Sequence, residues 1–296
     1  MNSRKDQVYY NMMLIPGMVI LFTFAIVPMF GIIMAFQNFV PARGIVKSKW
    51  VGLSHFKYMF QMPDATQVFT NTMIIAVMKI IFGFLAAVVF AILLNEIRGR
   101  YFKRTIQTFV YLPHFLSWVI LAGILGNMLS FEGIINKAVT LTGSEPILFL
   151  ASNFWFRPIL IASDVWKGFG FSAIVYLAAI TSIDPSMYDA ASIDGANRWG
   201  RIIHVTLPGM MPTMVLMLTL SLGNVLNANF DQVLNMYNPI VYRTGDIIDT
   251  YVYRLGLLNY QYSFGTAVGL LKSFVSTILI VFSYKLADKY AGYRIF

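Results

Sequence analysis

The stretch Tyr188–Pro208, YDAASIDGANRWGRIIHVTLP, decides how the rest of the chain is read. It is a polar, charged island between two long apolar runs. Asp189, Ala190 and Ala191 lie on a helix-favouring segment, and Gly195 follows about a turn and a half later. Trp199, Ile202 and Ile203 begin a second helical pattern, which closes on Val205, Leu207 and Pro208 as the next apolar run starts. The pattern predicts a short helix, a glycine turn, a second short amphipathic helix and a proline at the first position of the following span. Two small alanines before a turn make a compact knob that a groove on another protein could receive. A re-entrant or interfacial helix with no partner fits the same spacing.

The composition says what surrounds the island. Of 296 residues, 58% are hydrophobic and only 12% charged, and mean hydropathy is +0.68. A soluble domain carries about twice that charged fraction, so most of the chain must be solvated by lipid. The net charge of +9 could suit nucleic acid, but the cations are scattered over short loops, as membrane topology requires. The absence of cysteine removes disulfides and thiolate metal sites. The three histidines, His55, His114 and His204, are not at ligand spacing, so no zinc site is expected. There is no phosphate-binding GxxxxGK[ST] loop, and hydrolysis of ATP by this chain itself is not expected. The first apolar run is too long for a cleaved signal peptide.

Six apolar runs follow one another, at about 12–36, 68–94, 106–129, 158–180, 208–230 and 265–286. Each is long enough to cross ~30 Å of hydrocarbon at 1.5 Å per residue. Pro16 and Pro28 fall inside the first; a short helix is expected at Ile134–Leu141. Six crossings put both termini on one side. That side also holds the 95–105 loop and the island, and it is about twice as dense in Lys and Arg as the other, which makes it cytoplasmic. The expected division is an N-terminal span with an external segment, 1–67, and a five-helix core, 68–296, carrying the loop at 188–208. The architecture is all-α and polytopic, with six transmembrane helices.

At the island the chain resembles the membrane subunits of ABC importers. An acidic residue, two alanines, a glycine and a closing hydrophobic-x-Leu-Pro mark their cytoplasmic coupling loop, here Asp189, Ala190, Ala191, Gly195, Val205, Leu207 and Pro208. Asp189 stands where Glu is usual and Val205 where Ile is usual; both keep charge or shape. LIPGMVILFTFAIVPMFGIIMAF (14–36), KSKWVGLSHFKYMF (47–60) and YNPIVYRTGDIIDTYVYRLGL (237–257) are similar to the carbohydrate-uptake branch, most of all to polysaccharide and oligosaccharide permeases. The resemblance implies the type I importer permease fold in a bacterial cytoplasmic membrane. It also implies a second homologous permease subunit, two ATPase subunits that hold ATP and Mg²⁺, an extracellular solute-binding protein and a sugar substrate. Nothing would be catalysed on this chain, and it would bind no cofactor of its own.

Polar residues within the spans need an account. Lys79, Lys167, Lys272 and Asp164 lie in or near them, and each charge at a helix centre costs ~2.5–3.5 kcal/mol. Asp164 and Lys167 are three apart and can pair on one helix face. Lys79 and Lys272 fit either snorkelling or structural pairing, or a transport cavity. Asn224, Asn227, Asp231 and Asn235 fall on one side of an ideal helix. Their donors and acceptors suit a hydroxyl-rich substrate; hydrogen-bonded helix packing, or a helix that has already ended by Asp231, accounts for them equally. Asn229 lies off that face. Gly265, Gly269, Lys272, Ser273 and Ser276 form a small-residue stripe for close packing, by default against a partner subunit. Trp155 and Trp166 fit interface anchors or a stacking surface for a sugar ring. Two other functions compete with sugar import: an ion-gradient-driven transporter, which should show an inverted repeat and interrupted helices, and an ABC permease for a non-sugar solute.

Overall fold

A computed structural model describes residues 4–291. Among them, five helices are long and apolar enough to cross a membrane, and a sharply bent pair supplies a sixth crossing. The chain divides into two compact units, Met1–Thr66 with Tyr251–Ser273, and Gln67–Thr250 with Phe274–Phe296.

In the first unit, helix α1 (Arg4–Leu21) runs on through a π-turn at Phe22–Ile26 to Phe36. The wider turn precedes Pro28, whose ring and missing N–H would clash with a regular α ladder. Strands β1 (Gln37–Asn38) and β2 (Lys49–Trp50) then pair antiparallel, Gln37 opposite Trp50. Phe36 stacks on Trp50 at 5.8 Å, and helix α2 (Ser54–Gln61) follows. The Phe39 amide donates to the Ser263 hydroxyl at 2.8 Å. Gly256 and Gly265 meet so closely that a Cβ on Gly265 would lie 2.9 Å from the Gly256 Cα. The Gly265 end of the expected stripe therefore serves packing within the chain, while a Cβ on Gly269 would meet nothing within 4 Å.

The second unit contains α3 (Pro63–Glu96), the bent pair α4 (Arg100–Tyr111) and α5 (Trp118–Met128), α6 (Ile134–Leu141), α7 (Phe156–Thr181) and α8 (Pro185–Ile193). Beyond α8 come α9 (Arg198–Gly223), α10 (Phe230–Met236), and the C-terminal part of α12; α11 is the short Ile248–Val252 helix and α12 spans Tyr262–Ala291. The third span is not the single rod expected at 106–129. The chain bends by 104° between α4 and α5. Pro113 tightens the end of α4, and Ser117 starts α5 afresh by accepting the Ile120 amide.

Two apolar cores occupy this unit. One gathers Ile75 of α3, Trp118 and Leu121 of α5, Phe156 and Leu160 of α7, and Val233 of α10. The other gathers Ala87, Val88 and Ala91 of α3, Ala173 and Tyr176 of α7, and Met210 of α9. Between them, α3 and α7 carry Lys79 and Asp164, so the charged pair sits at the waist between two greasy ends. The segment after α10 is pinned to the helices by polar contacts: Arg157 donates to Asn71 and, at 2.8 Å, to the Thr244 carbonyl, and the Ile248 amide donates to Thr72 at 2.9 Å.

Candidate substrate cavity and docking turn

The island folds by local signals. The Asp184 carboxylate accepts the Ser186 amide at 2.9 Å and Pro185 occupies the first turn of α8. Gly195, at φ +78°, ends the helix: its amide bonds the Ser192 carbonyl and the Ala196 amide bonds that of Ala191, the paired 5→2 and 6→1 closure of a glycine C-cap. Asn197 restarts the chain by accepting the Gly200 amide at 2.8 Å. The hydroxyls of Tyr188 and Thr206 bond at 3.1 Å and brace α8 against α9.

From Arg198 the helix does not stop at Pro208. It runs unbroken for 26 residues to Gly223. The expectation of a second short helix with Pro208 opening the span is corrected here: a π-turn at Ile202–Thr206 widens the helix just before the proline, so the backbone accommodates it without breaking. Asp189, Ala190, Gly195 and Pro208 are exposed, Ala191 and Leu207 are half-buried, and Val205 is buried. Leu207 packs on the second core. Exposed apolar side chains surround the turn: Ile193 (86% exposed), Trp199 (70%), Met187 and Ile203. Sequence reading passed over Met187 and Ile193, although an isoleucine at a helix end beside a glycine turn is a readable signal.

At the far end of α9 lies a cavity of about 730 Å³. The helix ends at Gly223, Asn224 caps it, and the chain is irregular to Asn229, which takes the left-handed conformation at φ 69° before α10 begins. The expected single helical face of Asn224, Asn227, Asp231 and Asn235 therefore does not exist. Asparagine side chains compete with the helix for backbone partners, and they break it here. Asn224, Asn227, Asn229 and Asp231 nonetheless all line the cavity, brought together by the break; Asn235 does not.

Lys79 and Asp164 complete the wall. Lys79 is 8% exposed and lies 3.6 Å from Asp164. Its ammonium also donates to the Ala228 carbonyl at 2.9 Å and to the Gln232 side-chain oxygen. Gln232, fully buried, donates in turn to the Leu160 carbonyl and the Ser163 hydroxyl. Asn229 donates to Asp164 at 2.9 Å. The expected Asp164–Lys167 pair is thus replaced by a bridge from α7 to α3. Lys167 instead donates to the His114 carbonyl at 2.7 Å and lies over the Trp118 ring. A smaller cavity of about 190 Å³ shares Lys79 and Asp164 and continues past Phe84 and Tyr176. Lys167 and Trp166 line neither cavity; Lys272, half-buried on α12, belongs to the first unit. Among the described residues there is no cluster of metal-ligating side chains.

Comparison with known proteins gives three concordant results. Residues 79–291 match the family model described as binding-protein-dependent transport system inner membrane component. The chain is 40% identical to Protein LplB of Bacillus subtilis (strain 168) across 98% of its own length and 92% of that protein. It is also 40% identical to the polygalacturonan/rhamnogalacturonan transport system permease protein YteP of the same organism, across 96% and 89%. Among solved structures, it superimposes with a TM-score of 0.89 and 36% identity on a chain of a bacterial alginate ABC transporter in complex with an alginate pentasaccharide-bound periplasmic protein, across 97% of this chain and 96% of that one.

Proposed function

The chain belongs to the family of binding-protein-dependent transport system inner membrane components, and from that premise we propose how it works as the permease subunit of an ATP-driven importer for an oligosaccharide. The chain is a multi-pass membrane protein and not itself an enzyme. In this reading it pairs with a second, homologous permease subunit. Two ATPase subunits hold ATP and Mg²⁺ on the cytoplasmic side, where both termini of the chain lie, and an extracellular binding protein delivers the sugar.

One observation carries the coupling. A single helix, α9, joins the exposed turn around Gly195 to the amide-lined cavity at Asn224. At 1.5 Å per residue it is a rod about 39 Å long. When the ATPase pair closes on nucleotide it grips Asp189, Ala190 and the exposed Ile193 and Trp199, and the rod carries that displacement to the residues facing the sugar. Rigid-body motion between two packed states does the work, and the energy comes from nucleotide. An ion-gradient-driven transporter would leave both the rod and its apolar docking turn without a task. A sugar fits the cavity because Asn224, Asn227 and Asp231 present donors and acceptors together, as hydroxyls require.

Gly195→Val tests the coupling. A β-branched residue at φ +78° strains the turn that holds α8 against α9. In reconstituted importer, uptake should fall at least about tenfold while ATP hydrolysis persists, a loss of at least ~1.4 kcal/mol of coupling. Unchanged uptake with the ATPase subunits still co-purifying would remove the turn from the coupling path.

A further inference from the structure

The charge balance of the cavity narrows the substrate, provided that the pathway reading above holds. Lys79 is the one cation in its wall among the described residues, and its ammonium is fully engaged. An ammonium has three donors. Those of Lys79 face the Ala228 carbonyl, the Gln232 oxygen and the Asp164 carboxylate, and burial leaves almost none of the side chain to a ligand. Asp164 is neutralised by the same contact and accepts from Asn229. Asp231 differs. It is exposed, lines the cavity, and its carboxylate has no hydrogen-bond or ion-pair partner among the described residues. This wall therefore presents one free carboxylate, the neutral amides of Asn224 and Asn227, and no free positive charge.

We propose that Asp231 sets charge selectivity, and that the part of the glycan lying against this subunit is uncharged. A carboxylate accepts hydrogen bonds from sugar hydroxyls and has nothing to donate. A uronate brought beside it would place two like charges together, an arrangement that excludes wrong partners. Polygalacturonan and alginate, named for two similar transporters, are the glycans against which the question has content.

Trigalacturonate and galactotriose differ chiefly in their carboxylates and make a matched pair of probes. Their equilibrium binding is measured on the intact importer in lipid nanodiscs, without the binding protein, so that its own selectivity does not filter them. The wild type should bind galactotriose more tightly. Asp231→Lys should raise trigalacturonate affinity relative to galactotriose about thirtyfold, the scale of a two-unit charge change at ~4 Å from one uronate in water; Asp231→Asn, a one-unit change, should give about fivefold in the same direction. Equal binding of both probes by the wild type, as would follow if other subunits supplied the cations, overturns the inference. So does an unchanged ratio in both variants whose assembly is intact. Asn227→Leu separates the two claims. Weakened binding of both probes upholds the pathway even if the charge preference is absent. Indifference to Asn227 and Asp231 alike, or no binding of either probe, removes the pathway and the inference together.

Discussion

Lys79 shows what one charge between two apolar cores demands. With its ammonium satisfied from α7, α10 and the chain between α9 and α10, Lys79 would be stranded by loss of Asp164, whereas loss of Lys79 leaves Asp164 facing the cavity with Asn229. Lys79→Met should destabilise the subunit by ~1–3 kcal/mol, and adding Asp164→Leu should restore only the part due to the uncompensated carboxylate, since the buried Gln232 oxygen and Ala228 carbonyl still lack their donor. Thermal unfolding of the detergent-solubilised importer reads both; a double variant no better than the single one would mean that Lys79 acts apart from Asp164. Asn227 stands at the opposite extreme. It is exposed in the cavity, so Asn227→Leu should leave stability within about 0.5 kcal/mol while uptake falls. The Lys79–Asp164 contact was not legible in the sequence, where spacing along one helix pointed to Lys167. Cross-helix pairing depends on which faces meet, and periodicity within one segment carries no such information.

At the level of elements, the glycine turn was legible because its determinants are local: a carboxylate cap at Asp184, a glycine that tolerates positive φ at Gly195, and an asparagine cap at Asn197, all between positions 184 and 197. Asn197→Ala should cost about 1 kcal/mol of local stability at the start of α9. Faster amide exchange at Gly200 and Arg201 checks it. The Asp184 cap gives a pH dependence of definite sign. The Ser186 amide, bonded to its carboxylate, holds the Asp184 pKa below the usual aspartate value, so the cap stabilises the folded turn above that usual value and is lost as pH falls through the lowered one. Exchange protection at Ser186 should be flat from pH 8 to about 5 and decline only below ~3.9. A decline near neutrality would assign the protection to another group. The stretch from Asn224 to Asn229 was misread because it is apolar enough to continue a helix and holds neither glycine nor proline. Its breaks come from asparagine side chains and from the contacts of Ala228 and Asn229 with Lys79 and Asp164, which are tertiary. The bend at Leu116 and Ser117 had readable signals in Pro113 and Ser117, but a long apolar run outweighed them.

For the whole molecule, the coupling reading requires α9 to cross the bilayer. A rod of about 39 Å exceeds the ~30 Å hydrocarbon core, long enough to set the Gly195 turn and the segment beyond Asn224 on opposite faces. The chain contains no cysteine, which makes single-cysteine reporters free of background. Ile193 and Ile240 are 86% and 65% exposed, and neither lines the cavity. In intact cells a membrane-impermeant maleimide should label Ile240→Cys but not Ile193→Cys; after permeabilisation both should react. Labelling of both from outside would mean that α9 does not cross, and the reverse pattern would put the docking turn and the termini outside, beyond reach of any cytosolic ATPase. Co-expression of the ATPase subunits adds a footprint. Docking should slow labelling of Ile193→Cys in permeabilised cells severalfold and leave Ile240→Cys unaffected, because a protein seated on α8 covers the first site alone. Equal rates with and without the ATPase subunits would leave the exposed Ile193 and Trp199 outside the docking surface, and the force on α9 would have to enter elsewhere.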